Sequence, residues 1–404
     1  MTVGVLIAVR GPRESAVAAA VGVAPGLSVA RRCADLTEAL AAARAGVGSV
    51  VLVSEQSQLH RGVVADFTAA GLAVVGVPSS QDAEDHLRSL GIDQLLPADA
   101  DAAAVLASVS AASSRVASTE RADDPPERES VGRGVIIAVW GPTGAPGRTT
   151  LAVSMAYDLA LKEPTVLVDV DTYGGAVAQA LGLLDEAPGI AALARASLQG
   201  SLSEDTVNRH ALQAAPGLRV LSGVTRADRW TELSASALEP VWELLRGQAA
   251  VTVVDCGFSL ERDEELQYDT HAPQRNGATL SALAAADVVV AVGSAEPLGI
   301  QRMVHALAEL DAVVPVETTP RLVVVNRVRG SVAGQRPREA VADALRRYSA
   351  VEEVWTVGWD PRACDAAALA GQALGERAPR STARRGIQAV AAAARGAAVV
   401  TTRA

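Results

Sequence analysis

The chain has 404 residues, of which 49% are hydrophobic and 20% charged, and its formal net charge is −10. That length exceeds one ordinary core and predicts two or three domains. The acidic balance disfavours nonspecific nucleic-acid binding, which needs a basic face to displace counterions, so no specific nucleic acid is expected as a partner.

Aromatic residues make up only 3% of the chain, so Ala and Val must fill the cores through close helix–strand packing. Cys33, Cys256 and Cys364 stand far apart. They offer neither a zinc nor a disulfide framework and fit a reducing, cytoplasmic setting. The opening MTVGVLIAVRGPRES lacks a basic segment before a long apolar run, so no signal peptide is expected. No stretch reaches the roughly 18 apolar residues of a spanning helix, which leaves at most peripheral membrane contact.

Short apolar runs predict strands at 4–9, 27–31, 49–54, 72–77 and 94–96, with Ala-rich helical stretches between them. Strands alternating with helices predict parallel sheets covered on both faces. Five of each in the first 113 residues match a flavodoxin-like layout. In that layout this block resembles a receiver domain without its chemistry. The acidic pair expected after the first strand reads Val9-Arg10-Gly11. Ser54, followed by Glu55, stands at the phosphate-accepting Asp, and Leu96 precedes Pro97 where a Lys belongs. Without a carboxylate cluster nothing chelates the metal that aspartate phosphorylation needs. The resemblance implies a docking or dimerisation module, with a plain spacer as the alternative.

Residues 114–133, SRVASTERADDPPERESVGR, are charged, contain a Pro pair and lack an apolar period, which predicts a flexible linker. From Gly134 the alternation restarts and continues through 134–404.

GVIIAVWGPTGAPGRTTLAVSMAYDLA, residues 134–160, reads as a buried strand, a Gly/Pro-rich turn and a helix. Such a turn aims successive backbone N–H groups at one spot, and the helix N-terminus adds partial positive charge. Together they cradle a phosphate chain, with Thr149 on magnesium and Thr150 supporting the loop. A Gly-rich turn, a helix and acidic residues after the next strand also suit a dinucleotide, but GxxGxxG is not GxGxxG and tandem threonines have no role there. The loop resembles the deviant Walker A motif of MinD/ParA ATPases, usually KGGxGKTT. Gly144, Gly147, Thr149 and Thr150 match. Thr143 replaces the signature lysine, Ala145 a glycine and Arg148 the Walker lysine. Pro142 sits at the first Walker glycine, and Pro146 stiffens the turn.

TVLVDVDTYGG (165–175) ends a buried strand in Asp169 and Asp171. The resemblance places Asp171 near magnesium and the attacking water; the alternative is a carboxylate pair capping the next helix. AAVTVVDCGFSLE (249–261) carries Asp255 and Gly257, the Walker B pattern, with Asp255 holding a magnesium-bound water. Cys256 between them suits a small buried filler. ADVVVAVGSAEPLGIQRM (286–303) resembles the family's next strand and loop. RLVVVNRV (321–328) ends in Asn326-Arg327. The family reading assigns Asn326 to adenine, since an amide offers one donor and one acceptor. VGWDPRACDAAALAGQAL resembles the last strand and the loop over the base, with Asp360 and Pro361. The implied site is therefore catalytic at Asp171, Arg148 and Asp255, with ATP and Mg2+ held by residues 144–150, Asn326, Arg327 and Asp360. Arg275, in 267–280, suits a solvated loop or a phosphate or partner contact. His60, His86, His210, His271 and His305 show no ligand spacing.

A phosphorylation-dead receiver-like domain ahead of a MinD-like ATPase resembles the CpaE/TadZ proteins, which localise Flp/Tad pilus assembly. That resemblance implies an ATP- or ADP-bound, nucleotide-dependent homodimer that positions a pilus, secretion or division machinery in a bacterial cell. The other classes are a degenerate nucleotide-binding scaffold that hydrolyses ATP slowly, and a ParA-like partitioning ATPase. The tail ARRGIQAVAAAARGAAVVTTRA is too weakly amphipathic for a membrane helix and is expected to pack on its own domain.

Overall fold

A computed structural model describes residues 2–56, 58–97, 100–119, 133–144, 147–184, 188–262, 274–349 and 351–401. They form two compact units.

In the N-terminal unit, β1 (Val3–Ala8), β2 (Leu27–Arg32), β3 (Val50–Val53) and β4 (Ala73–Gly76) form a parallel sheet in the order β2-β1-β3-β4. Side chains alternate along a strand. Val5, Ile7, Val50 and Leu52 therefore join one buried layer, and Leu6, Ala8, Val51 and Val53 the other. Burial on both faces is why these strands read as continuous apolar runs. The expected fifth strand at 94–96 shrinks to one parallel bridge, Gly76 to Leu95. Pro97 follows at once and has no N–H to extend a ladder. The order is still that of the flavodoxin-like fold.

The last helix of this unit, Ala102–Thr119, runs past the expected boundary at 113. No Gly or Pro interrupts the sequence before Pro125, so nothing stops the helix there. The remainder of the expected linker, 120–132, lies outside the described residues.

Where a receiver would hold its acids, Ser54 is buried and its Oγ accepts from the Arg10 N–H at 2.9 Å. Gln56 donates to the Ala8 carbonyl at 3.0 Å. Arg13 reaches the carbonyls of Pro78 and Pro97. At this end of the sheet a cation, Arg13, stands with an acid, Glu55, whose carboxylate accepts from the Ser79 N–H at 3.3 Å.

Among the described residues the C-terminal unit has eight strands: β5 (Val135–Trp140), β6 (Thr165–Val170), β7 (Leu212–Ala215), β8 (Leu218–Leu221), β9 (Val251–Cys256), β10 (Val288–Ser294), β11 (Arg321–Val328) and β12 (Val354–Gly358). Their order is β12-β11-β10-β5-β9-β6-β8-β7, parallel except for β7, which turns back through Pro216-Gly217 onto β8. Helices Arg148–Ala160 and Thr382–Thr401 pack on one face, and Ala235–Gln248 and Gly277–Ala285 on the other. β5 lies between β9 and β10, and all its residues are buried.

The tail helix packs as its sequence suggests. Ile387, Val390, Ala394 and Ala398 are buried. Arg384 pairs with Asp158 at 2.8 Å and Arg395 with Glu163 at 2.7 Å. Among the described residues no helix is long and apolar enough to cross a membrane.

Candidate nucleotide site

β5 delivers the chain into the loop at residues 141–147, and the helix Arg148–Ala160 leaves it. Gly144 has φ +67° and Gly147 φ +97°, a left-handed region that penalises any Cβ. Side chains also occupy the space a Cβ would take. A Cβ on Gly144 would collide with the Arg302 guanidinium, and one on Gly147 with the Asn326 amide. Ala145 and Pro146, both expected in the cradle, lie outside the described residues.

Four expected residues meet at the helix N-terminus. Register places Asp255 beside Val139 of β5 and Asp169 of β6. Thr149 Oγ1 donates to Asp255 Oδ2 at 2.7 Å. Asp255 Oδ1 is buried without a hydrogen-bond partner among the described residues. Burial first, then the Asp169 carboxylate, push the Asp255 carboxyl well above its ordinary range. Burial likewise lifts Asp169 to about 6, against the lowering effect of hydrogen bonds from the Val177 and Asp171 N–H groups.

Arg148 does not point into open loop space. Its Nη1 donates to the Gly141 carbonyl at 2.7 Å and its Nη2 to Asp171 Oδ2 at 3.4 Å. Asp171 Oδ1 accepts from the N–H groups of Tyr173 and Gly174. Asp169 instead receives the N–H groups of Asp171 and Val177. The capping alternative therefore holds for Asp169, while Asp171 faces the loop.

Around these acids is a set that sequence reading passed over. The Tyr173 and Phe258 rings lie 4.7 Å apart. The Tyr173 hydroxyl donates to Asn276 Oδ1 at 2.9 Å, and Thr279 Oγ1 receives the Gly257 N–H at 3.0 Å. Arg275 lies over the Tyr173 ring at 4.2 Å, so it braces this loop cluster. His271 lies outside the described residues. Cys256 is fully buried, as a filler would be.

On the β11 side a pocket of about 130 Å³ is lined by Gly147, Thr150, Asn326, Arg327, Trp359 and Asp360, among others. Arg327 is the one non-glycine with positive φ among the described residues, at +57°. Its guanidinium lies 5.0 Å from the Trp359 ring, and that of Arg329 lies 5.2 Å away. Asn326 Oδ1 accepts from the Arg327 N–H at 2.8 Å. Asp360 is committed to the chain: it caps the helix Pro361–Ala370 and accepts from Ser381 Oγ at 2.8 Å. The Ser381 hydrogen bond is the main reason its carboxyl sits below the ordinary range. Its rim position was legible, whereas Trp359 was hidden as a lone aromatic in a helix-capping segment.

The family model for the CobQ/CobB/MinD/ParA nucleotide binding domain matches residues 137–368. The chain belongs to this family. The matched span runs from β5 to the helix at the pocket rim. A ParA family ATPase from Chlorobium tepidum covers 65% of this chain and 99% of its own at 15% identity, with a TM-score of 0.52. MinD complexed with Mg-ADP from Pyrococcus horikoshii covers 64% and 94% at 18% identity, with a TM-score of 0.50. An ATP complex of McdA from Cyanothece covers 66% and 98% at 14% identity, with a TM-score of 0.50. At such identities these likenesses show the fold alone. No curated protein matches the chain.

Proposed function

We propose that the C-terminal unit binds ATP with Mg2+ at this loop and acts as a nucleotide-dependent, homodimeric switch. In this reading it belongs to the CpaE/TadZ-like branch and positions a pilus, secretion or division machinery in the cytoplasm. The observation that carries the nucleotide reading is the orphaned, buried Asp255 Oδ1 beside Thr149 at the mouth of a helix N-terminus. A buried carboxylate without a donor is costly, and a hydrated magnesium ion would satisfy it. Thr149 would hold the ion directly, Asp255 through its water, and Asp171 from the segment just past β6. Magnesium would neutralise phosphate charge and orient water there. Gly144, Gly147 and the helix N-terminus hold phosphate, Thr150 steadies the loop, and Asn326, Arg327 and Asp360 frame the base. The Mg-ADP and ATP complexes of the MinD and McdA neighbours fit this reading. The N-terminal unit, with Arg13 filling the place of an acid cluster, serves as a pseudo-receiver that docks the partner.

A slow-turnover reading has its own support. Arg148 shares its guanidinium between the Gly141 carbonyl and Asp171, and the planar fork differs in geometry from an ammonium. Losing one well-placed transition-state donor costs on the order of 10²–10³ in rate.

Thermal melts with Mg-ATP, Mg-ADP and NADH test the binding, because a ligand of the native state raises the melting temperature. Both adenine nucleotides should shift the C-terminal unit and NADH should not; no shift with either would end the proposal. Phosphate release should be slow in the wild type. Ordinary ATPase rates abolished by Arg148→Ala would show the arginine to be a working Walker cation.

A further inference from the structure

Thr143 is neutral, and Arg148 is held by the Gly141 carbonyl at 2.7 Å and lies 3.4 Å from Asp171, so the loop lacks an uncommitted cation of its own. The helix Pro297–Val313 leaves β10 next to β5. Its start is seated hard on the strand: Gly299 admits no Cβ against Ser294, and buried Met303 packs on Gly293. The next residue toward the loop is Arg302. Its guanidinium carbon lies 3.2 Å from where a Cβ on Gly144 would stand, with Nη1 closer still. Arg302 is partly buried, and no carboxylate pairs with it among the described residues. Neighbouring arginines do find acids: Arg329 meets Glu296 at 2.9 Å and Arg321 meets Asp311 at 3.3 Å.

We propose that Arg302 is a phosphate-binding residue, a cation supplied within the same chain that bears on the inner phosphates of the nucleotide from the β10 side. The inference rests on the nucleotide reading above and deepens it. A partly buried arginine whose guanidinium lies on a glycine of the phosphate loop, with no carboxylate paired to it among the described residues, is poised for an anion, because it offers several donors in a fixed fork. Sheet order gives the position along the nucleotide. Asp255 and Asp171 approach the loop from β9 and β6, where the metal and outer phosphate would lie. Arg302 approaches from the opposite side, toward β11 and Asn326. Phosphates nearest the base are common to ADP and ATP, so Arg302 should serve both equally. The left-handed Gly144 then has a second purpose: it leaves room for the guanidinium as well as for the turn.

The test titrates full-length wild type, Arg302→Ala, Arg302→Gln and Arg302→Lys with Mg-ADP, Mg-ATP and inorganic pyrophosphate, alongside melts without ligand. A charge-assisted hydrogen bond of this kind corresponds to about ten- to a hundredfold in affinity. Arg302→Ala and Arg302→Gln should weaken ADP and ATP by that factor alike and flatten the salt dependence. Arg302→Lys should recover much of it, and the unliganded melts should stay together. Wild-type affinity retained by Arg302→Gln would overturn the assignment. So would a lowered unliganded melt with affinity intact, which makes Arg302 a loop clamp only. A loss confined to ATP would move the contact to the outer phosphate and also overturn it. If the wild type binds neither nucleotide nor pyrophosphate, the nucleotide reading falls and takes this one with it; any wild-type binding leaves Arg302 alone at stake.

Discussion

Asp255 carries two opposed demands. One oxygen is held by Thr149, the other is buried without a donor among the described residues, and Asp169 stands at the adjoining register position of β6. Burial and Asp169 disfavour the charged form of Asp255, so ionising it costs stability until a cation compensates the charge. Asp255→Asn keeps the shape, removes the charge and can still accept from Thr149. The variant should melt higher than wild type without ligand, yet lose about tenfold or more in magnesium-dependent nucleotide affinity. Melts with and without Mg-ADP check both halves; a variant less stable than wild type without ligand refutes the argument. Arg327 makes a comparable trade. Its left-handed backbone costs of order 1–3 kcal/mol, and in return its guanidinium lies over Trp359 at the pocket rim.

Elements hold these residues in place through a few buried polar ties. Arg246 of the helix Ala235–Gln248 donates to the Gly134 carbonyl at 3.0 Å, to Asp287 at 2.6 Å and to the Ala285 carbonyl at 2.6 Å. Asp287 in turn accepts from the Ile136 N–H at 2.7 Å. One guanidinium thus fastens the start of β5 to the turn before β10. Breaking a buried pair strands its partner and costs about 3–5 kcal/mol. Arg246→Met should lower the chemical-unfolding free energy of the C-terminal unit by that amount, and a loss below about 1 kcal/mol would contradict the burial of the pair. Sequence reading found the elements whose cause is local. The apolar runs of β1 and β5 announce strands buried on both faces, and the Gly144–Gly147 turn announces the loop. It failed where distance decides. Leu95 is apolar enough for a strand, but one bridge is all the sheet edge offers before Pro97. Arg302 lay inside a segment recognised as strand and loop, yet only the packing of Met303 on Gly293 shows which way it faces. The partners Arg148 takes within the chain, the Gly141 carbonyl and Asp171 just past β6, are likewise set by packing and not by local sequence.

At the scale of the whole molecule, two compact units with separate cores need not share one unfolding transition. The N-terminal unit carries a titration of its own. Burial raises Asp66 from 3.8 to about 6, with Arg44 acting the other way. A raised folded-state value favours the protonated native form. Its stabilisation is present below the unfolded value of about 4 and is lost as pH rises toward about 6. The N-terminal unit should therefore weaken across that window, and Asp66→Asn should flatten the slope. An unchanged pH profile in the variant would assign the effect elsewhere. The central place of β5 also bears on how the protein is made. β5 leaves the ribosome well before β9 and β10, the two strands that flank it. Until β9 is synthesised, its row of backbone donors and acceptors has no partner on either side, and until β10 follows, one edge stays open. The phosphate loop hangs from that strand, so a nascent chain has no nucleotide to grip through most of translation. Products truncated ahead of β10 would expose an apolar strand edge to aggregation or to chaperones, and nucleotide could rescue only chains that have already passed that point.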